Sequence, residues 1–168
     1  NISFSVPTGN FGDIYAGYMA KKMGLPIDKL IVATNENDIL QRVISTGEYK
    51  PDKVKPSLSP SMDIQVSSNF ERLLFDILNK DDKKVVSLMN DLTTKGFFKL
   101  NKDVIKILKK DFTAEKINDQ ETLAIIKKFN LEEKFVLDPH TATAFGATKK
   151  ISNLSEVIIV GTAHPYKF

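Results

Sequence analysis

The chain has 168 residues, 42% of them hydrophobic and 27% charged, which is the balance of one globular domain with an ordinary core. It contains no cysteine, so disulfides, thiolate nucleophiles and zinc–thiolate sites are excluded. The net charge is +3, but no basic run is interleaved with aromatic residues, so nucleic acid is not predicted as a partner. No apolar run reaches the roughly 18 residues that span a bilayer, so a membrane is not predicted as a partner either.

The beginning of the sequence lacks an initiator methionine and opens directly on a strand-like run. It also lacks the charged and then apolar pattern of a signal peptide. We therefore expect a piece of a longer protein. A cytoplasmic location is the expectation that agrees with the absence of cysteine.

The first elements in the chain have the pattern of a βαβ unit. Ile2–Val6 alternates apolar and polar side chains, which predicts a strand. Phe11–Met23 repeats apolar residues at three- and four-residue spacing, which predicts an amphipathic helix. Leu30–Ala33 is short and continuously apolar, as buried strands of a parallel sheet are. A second helix is predicted over 35–44, so a parallel sheet is expected.

The middle of the chain predicts a loop followed by helices. Three prolines predict a loop over 48–61, and Ile64–Val66 is predicted as a short strand. Phe70–Leu78 has an apolar stripe at helical spacing. Residues 80–130 are rich in lysine and aspartate and predict a solvated helical excursion. Its helical patterns lie around Val85–Leu92, Val104–Leu108 and Glu121–Phe129.

The last third of the sequence predicts a capped helix and a strand. Asp138 and Pro139 open a helix as its N-cap and first residue. Val157–Val160 is predicted as a second buried strand. Residues 1–168 are therefore expected to form one α/β domain with a parallel sheet, in which 80–130 is a helical insertion.

Three segments follow predicted strand ends, namely 7–13 (PTGNFGD), 34–38 (TNEND) and 161–165 (GTAHP). Ligands of open α/β sheets bind beyond the carboxyl ends of the strands. If the strands are parallel, these segments open on one rim and form a composite site.

The first of these segments has the pattern of an anion-binding turn. Gly9 and Gly12 bracket Asn10 and Phe11 directly before a helix, and Asp13 lies in its first turn. Glycines let backbone N–H groups turn inward, and a helix N-terminus adds partial positive charge, so the turn suits a phosphate ester. It is neither GxGxxG nor a P-loop. An ordinary strand-to-helix reversal explains the same glycines, so the pattern alone leaves both interpretations open.

Polar residues around the start of the helix at 70 form a second candidate. Ser68 and Asn69 lie at the helix start, with Arg72 in the first turn. They form either a polar pocket with a phosphate-binding arginine or a capped helix with a surface arginine, and the residues alone favour the capped helix.

Thr162, His140 and His164 follow strand ends. The threonine hydroxyl is a hydrogen-bonding group at the rim, and the two histidines are more simply hydrogen-bonding residues than catalysts. Without carboxylates at ligand spacing they do not predict a metal site.

Taken together, five stretches resemble the threonine synthase family. They are PTGNFGDIYAGYMAKKMGLP, LIVATNEND, SPSMDIQVSSNFERLLFD, DPHTATA and TAHPYKF. They occur in the family's order and anchor residues 5–78 and 136–168, whereas 80–130 carries no specific signature. The resemblance implies a lyase with pyridoxal 5'-phosphate (PLP) as cofactor and a three-layer αβα part of the large domain of PLP fold type II. It also implies the conversion of O-phospho-L-homoserine and water to L-threonine and phosphate.

The same resemblance assigns roles to particular residues. It implies that the loop around the cofactor phosphate is formed by Gly9, Asn10, Phe11, Gly12 and Asp13. It implies that Thr162 faces the pyridine nitrogen of the cofactor. It also implies that the substrate phosphate is bound by Ser68, Asn69 and Arg72. His140 and His164 receive loop-orienting roles at most.

The chain departs from the family at one catalytic position. The resemblance implies that the Schiff-base lysine belongs to a preceding N-terminal part of the same chain, so the 168 residues contain no catalytic residue and are expected to be inactive alone. Three alternatives remain open: another fold-type II lyase such as a serine or threonine dehydratase, a non-catalytic phosphate-binding module, and a helical interaction protein working through 80–130.

Overall fold

The computed structural model describes residues 1–154 and 156–167. Its strands are β1 (Ile2–Pro7), β2 (Ile27–Thr34), β3 (Glu48–Tyr49), β4 (Phe98–Lys99), β5 (Phe112–Lys116) and β6 (Val157–Ile159). Its helices are α1 (Gly12–Lys22), α2 (Ile39–Thr46), α3 (Phe70–Ile77), α4 (Asp82–Lys95), α5 (Lys102–Asp111), α6 (Asp119–Glu133) and α7 (Pro139–Lys150), with 3-10 turns at Pro60–Met62 and Pro165–Lys167. No helix within these ranges combines the length and apolar character that crossing a bilayer requires.

A four-stranded parallel sheet forms the centre of the fold, in the order β5-β2-β1-β6. Phe4 of β1 lies opposite Leu30 on one side and Ile158 on the other. The predicted parallel sheet and the helices α1, α2 and α3 are confirmed. β1, which leads into the glycine turn, is paired on both sides.

Alternation along β2 places helices on both faces of the sheet. Leu30 and Val32 point into the larger core, which they share with the apolar sides of α1, α2, α3 and α5. Ile31 and Ala33 point to the other face, where they pack against α7 and the residue Ile117 after β5. The continuously apolar run in β2 is therefore buried on both sides, as the sequence predicts.

Helix α7 approaches the sheet closely because its inner face carries small residues. Ala144 and Ala147 are buried against the sheet, and the Ser5 hydroxyl donates to the Ala144 carbonyl oxygen at 2.7 Å. A Cβ at Gly146 would lie 2.7 Å from the Cδ1 atom of Ile125 in α6. Larger residues at these positions would push α6 and α7 outward.

Residues 80–130 contain the three predicted helices and two strands that the sequence did not predict. β4 pairs antiparallel with β3, which lies within the predicted loop over 48–61. β5 joins the main sheet beside β2, with Val32 opposite Ala114. The segment is thus more than a solvated excursion, since it supplies an edge strand of the sheet.

Two strand predictions are wrong in detail. Ile64–Val66 is not a strand but part of an irregular segment before α3. Val157–Val160 was predicted as a buried strand, whereas β6 is an edge strand in which Ile158 is 45% exposed. The predicted capping of α7 is confirmed, because the Asp138 carboxylate accepts from the N–H groups of His140 and Thr141.

A hydrogen bond between α1 and α3 gives a first testable prediction. The Tyr18 hydroxyl donates to the Asp76 carboxylate at 2.5 Å, and burial together with this bond raises the pKa of Tyr18. Tyr18→Phe leaves a half-buried carboxylate whose one remaining side-chain partner among the described residues is Lys22, 3.5 Å away. We expect a loss of about 1–2 kcal/mol in the free energy of unfolding of the whole protein, measured by urea titration.

The matched control is Tyr15→Phe. Tyr15 lies on the same helix, and its hydroxyl makes no hydrogen bond within residues 1–154 and 156–167. Equal effects of the two substitutions would show that the Tyr18–Asp76 bond contributes nothing measurable.

Candidate functional site

The carboxyl ends of the parallel strands meet at one rim of the sheet, as predicted. The loop after β1 is fastened to β2 because the Thr8 N–H donates to the Ala33 carbonyl oxygen at 2.8 Å. The end of β6 is fastened to β1 because the Val160 N–H donates to the Ser5 carbonyl oxygen at 2.9 Å. The segments 7–13, 34–38 and 161–165 therefore share one edge, with the glycine turn in the middle.

The glycine turn, residues 9–12, presents a row of backbone donors. Among the residues that the structure describes, no oxygen accepts from the N–H groups of Gly9, Asn10 or Phe11. Gly12 donates to the Asn10 side-chain oxygen at 2.9 Å, which closes the turn at the start of α1. Free N–H groups beside a helix N-terminus form an anion site.

Phe11 fixes the turn from inside the core. Its backbone is left-handed, with φ of 69°, a conformation that is costly for a residue with a side chain. Its ring is 0% exposed and packs edge-on against Phe70, with centroids 5.4 Å apart, and against Phe112 at 5.6 Å. Burial of the ring therefore holds the backbone strain in place.

Asp13 lies in the first turn of α1 with an exposed side chain. Its carboxylate interacts favourably with the helix N-terminus and competes there with a bound anion. The group of Asp13 that suits a phosphate is therefore its N–H, not its carboxylate.

Residues just before α3 hold the glycine turn through hydrogen bonds to its carbonyl oxygens. The Ser67 hydroxyl donates to the Gly9 carbonyl oxygen at 2.9 Å. The Asn10 carbonyl oxygen accepts from the N–H of Asn69 at 3.0 Å and from its side-chain amide at 3.1 Å. Asn69, predicted at the substrate phosphate, thus touches the turn itself.

The other two residues predicted at the substrate phosphate, Ser68 and Arg72, face a groove between α1, α3 and α4. This open groove has a volume of about 530 Å³, and Tyr15 and Asp82 line it as well. The Arg72 guanidinium makes no ion pair within the described ranges. Ser68 and Arg72 thus line this groove, whereas the Asn69 side chain contacts the glycine turn.

Arg42, the other arginine, is fully engaged in holding a loop. It bonds to Asp38 at 2.8 Å, to the Lys50 carbonyl oxygen at 2.8 Å and to the side chain of Gln65 at 3.2 Å. Burial alone raises the pKa of Asp38, but Lys116 and Arg42 outweigh it and hold that pKa below its ordinary value. Arg72 is thus the arginine with donors available to a ligand.

Thr162 and His164 lie beyond the end of β6, and both are exposed. Because β6 neighbours β1, Thr162 is at the strand end beside the glycine turn. A cavity of about 380 Å³ opens next to it, lined by His164, the α6–α7 loop and one side of α7.

His140 is buried at the start of α7. Its Nδ1 atom lies 3.1 Å from the Asp138 carboxylate, which also accepts from the hydroxyl of Thr141. Burial lowers the pKa of His140, and the neighbouring carboxylate opposes part of that shift. His140 is therefore tied to the cap of its own helix.

A pH-dependent stability follows from the lowered pKa of His140. Below pH 6.5 the His140 imidazole binds a proton more readily in the unfolded chain than in the folded chain. The free energy of unfolding therefore falls as the pH falls. We expect the decline between pH 7.5 and 5.5 to be shallower in His140→Gln than in the wild-type whole protein. Urea unfolding at both pH values measures it. His164→Gln, at an exposed position, serves as the control, and equal slopes for all three proteins would contradict the prediction.

Comparison with known proteins adds independent evidence. No family model matches the chain. The threonine synthases of Saccharomyces cerevisiae and Pseudomonas aeruginosa are 47% and 45% identical to it, over 99% and 100% of this chain. The solved PLP-bound threonine synthase of Brucella melitensis is 46% identical over 99% of this chain, with a TM-score of 0.95. The chain belongs to the threonine synthase family.

The chain spans 36% of the length of each of these three proteins. The family and the fold class that the sequence motifs predicted are both confirmed. The roles of individual site residues stay predictions.

The sequence did not predict one feature of this rim, a polar cluster at the end of β2. We call it the Asp63 cluster, and it consists of Asn35, Asn37, Ser57, Ser59 and Asp63. Three of its members, Asn35, Asn37 and Ser59, are buried. The signal was present in the stretches TNEND and SPSMD, but nothing in the sequence shows that a loop folds one onto the other.

Proposed function

We propose that this chain supplies the cofactor-phosphate and ring-nitrogen contacts of a threonine synthase. The whole protein then converts O-phospho-L-homoserine and water to L-threonine and phosphate with PLP, as a carbon–oxygen lyase acting on phosphate. The observation that carries the proposal is the glycine turn, whose N–H groups lack acceptors among the described residues. The Brucella melitensis relative, at 46% identity, is described as PLP bound.

The glycine turn fits a phosphate ester in its chemistry. The N–H groups of Gly9, Asn10 and Phe11 are neutral donors in series, and the N-terminus of α1 adds partial positive charge. With Gly12 and the N–H of Asp13 they form the set that we assign to the cofactor phosphate. Backbone donors set by a buried phenylalanine are preorganised, so little ordering is needed on binding.

Thr162 is the residue that we assign to the pyridine nitrogen of PLP. When bound, PLP supplies the electron sink for reactions at amino-acid carbons. A hydroxyl forms a hydrogen bond with the ring nitrogen without the charge that a carboxylate would bring. The exposed position of Thr162 at the strand end beside the glycine turn supports this role.

Arg72 and Ser68 are our candidates for the substrate phosphate. A guanidinium binds phosphate through two parallel hydrogen bonds, and that of Arg72 has no ion pair within the described ranges. Asn69 is our third candidate for the substrate phosphate, and its side-chain amide also holds the turn by donating to the Asn10 carbonyl oxygen.

We further propose that residues 1–168 form one domain, part of the PLP-binding large domain. A preceding part of the same chain is proposed to supply the lysine that binds PLP covalently. We propose the cytoplasm as the compartment, on the absence of cysteine; cell fractionation tests that location.

The test uses the whole protein. Purified protein is examined for bound PLP by its absorption, then given O-phospho-L-homoserine and assayed for phosphate and threonine. Both products in equal amounts, reduced when Thr162 is changed to valine, support the proposal. Bound PLP without threonine indicates another fold-type II lyase, such as a serine or threonine dehydratase. No bound PLP indicates a phosphate-binding module.

The 168 residues alone are expected to form no threonine. No lysine here lies in the family's cofactor-binding context, so the covalent anchor is missing. The same assay on the purified chain, with added PLP, measures this. Threonine formed by the chain alone would contradict the placement of that lysine.

A further inference from the structure

The Asp63 cluster connects the end of β2 with the loop before α3. One carboxylate oxygen of Asp63 accepts from the side-chain amides of Asn35 at 2.7 Å and Asn37 at 3.0 Å, and from the Ser57 hydroxyl at 2.6 Å. The other accepts from the Ser57 N–H at 2.9 Å. The carboxylate thus gathers four donors from the end of β2 and from the loop before α3.

These bonds fix the 3-10 turn Pro60–Met62. The Ser59 carbonyl oxygen accepts from the Met62 N–H at 2.9 Å, and the Asp63 N–H donates to the Pro60 carbonyl oxygen at 3.1 Å. The 3-10 turn thus lies between two residues of the Asp63 cluster, Ser59 and Asp63. Its position therefore depends on the position of the Asp63 carboxylate.

Gly9 packs directly against the backbone of this 3-10 turn. A Cβ placed on Gly9 would lie 3.0 Å from the Ser61 carbonyl oxygen and 3.2 Å from the Met62 Cα atom. There is no room for either backbone to move toward the other. A shift of the 3-10 turn away from β1 would therefore leave Gly9 unsupported and change the direction of its N–H.

We propose that Asp63 is a positioning residue for the anion-binding turn. Its carboxylate fastens segment 57–63 to Asn35 and Asn37, and through the 3-10 turn it sets the spacing of the N–H groups of Gly9–Phe11. The inference rests on the proposed function, because the anion is taken to be the PLP phosphate. It explains why the rim contains a partly buried carboxylate whose four bonded donors are all uncharged.

The experiment compares Asp63→Ala with Asp52→Ala in the whole protein. Asp52 lies in the same loop and is exposed, and within residues 1–154 and 156–167 its carboxylate accepts only from the neighbouring Lys53 N–H. The readouts are the PLP dissociation constant and the ³¹P NMR signal of the bound cofactor phosphate. Asp63→Ala is expected to weaken PLP binding about tenfold and to shift the ³¹P signal, because hydrogen bonds to a charged group are lost. Asp52→Ala is expected to change neither.

A milder variant keeps the proposal testable if Asp63→Ala does not fold. Ser57→Ala removes the hydroxyl that donates to Asp63 but keeps the Ser57 N–H bond, and it is expected to shift the ³¹P signal in the same direction. Variants that lose stability while the ³¹P signal and the dissociation constant stay at wild-type values would overturn the positioning role alone. A wild-type protein that binds no PLP would overturn the proposed function and this inference with it.

Discussion

Phe11→Ala is expected to lower the free energy of unfolding of the whole protein by about 3–5 kcal/mol, the cost of deleting a buried ring and leaving a cavity. The ring is fully buried and contacts two other phenylalanines, Phe70 and Phe112. It is also what holds residue 11 in its left-handed conformation. We therefore expect PLP affinity to fall together with stability, as measured by urea unfolding and cofactor titration.

Two further variants isolate the cause. Phe75→Ala removes a ring that is 40% exposed and is expected to cost about 1 kcal/mol or less, since little apolar area returns to water. Phe11→Gly removes the buried ring but relieves the left-handed backbone, so it should be at least as stable as Phe11→Ala. If Phe11→Ala and Phe75→Ala cost the same, the anchoring role of the buried ring is refuted.

Gly9→Ala is expected to weaken PLP binding by about ten- to a hundredfold, equivalent to about 1–3 kcal/mol. The new Cβ would lie 3.0 Å from the Ser61 carbonyl oxygen and 3.2 Å from the Met62 Cα atom. Both are backbone atoms and cannot rotate away. The turn must shift by tenths of an ångström, and its N–H groups shift with it. Titration of the whole apo protein with PLP measures the effect.

Gly17→Ala is the matched control for this substitution. Its Cβ would also lie 3.0 Å from a neighbour, but that neighbour is a terminal methyl of Leu30, which can adjust. Alanine within α1 also favours the helix by about 1 kcal/mol. We expect wild-type PLP affinity for Gly17→Ala. Equal affinities for the wild type and Gly9→Ala would show that close packing at Gly9 does not determine the turn.

Much of the fold could be predicted because its signals are local. Leu30–Ala33 in β2 is continuously apolar, and the apolar stripe on α3 repeats at helical spacing, so neighbouring residues show both the burial and the type of each element. The glycine turn was found for the same reason, since Gly9 and Gly12 lie directly between a strand and a helix.

The features that were missed depend on distant partners. β5, with the sequence FTAEK, carries Glu115 and Lys116 at its end and has no strong strand pattern of its own. It is a strand because its backbone pairs with β2 about 80 residues earlier. The Asp63 cluster was missed likewise, since each of its residues is unremarkable until a loop brings Asn35 and Asp63 to 2.7 Å.

The position of β1 between β2 and β6 has a consequence for synthesis on the ribosome. Of its two partners, Val157–Ile159 is made some 150 residues after Ile2–Pro7. At roughly 5–20 residues per second, one edge of the strand leading into the glycine turn stays open for about 8–30 seconds. An open parallel edge can recruit other strands, so a nascent chain is most exposed to mispairing beside the loop that we assign to the cofactor phosphate.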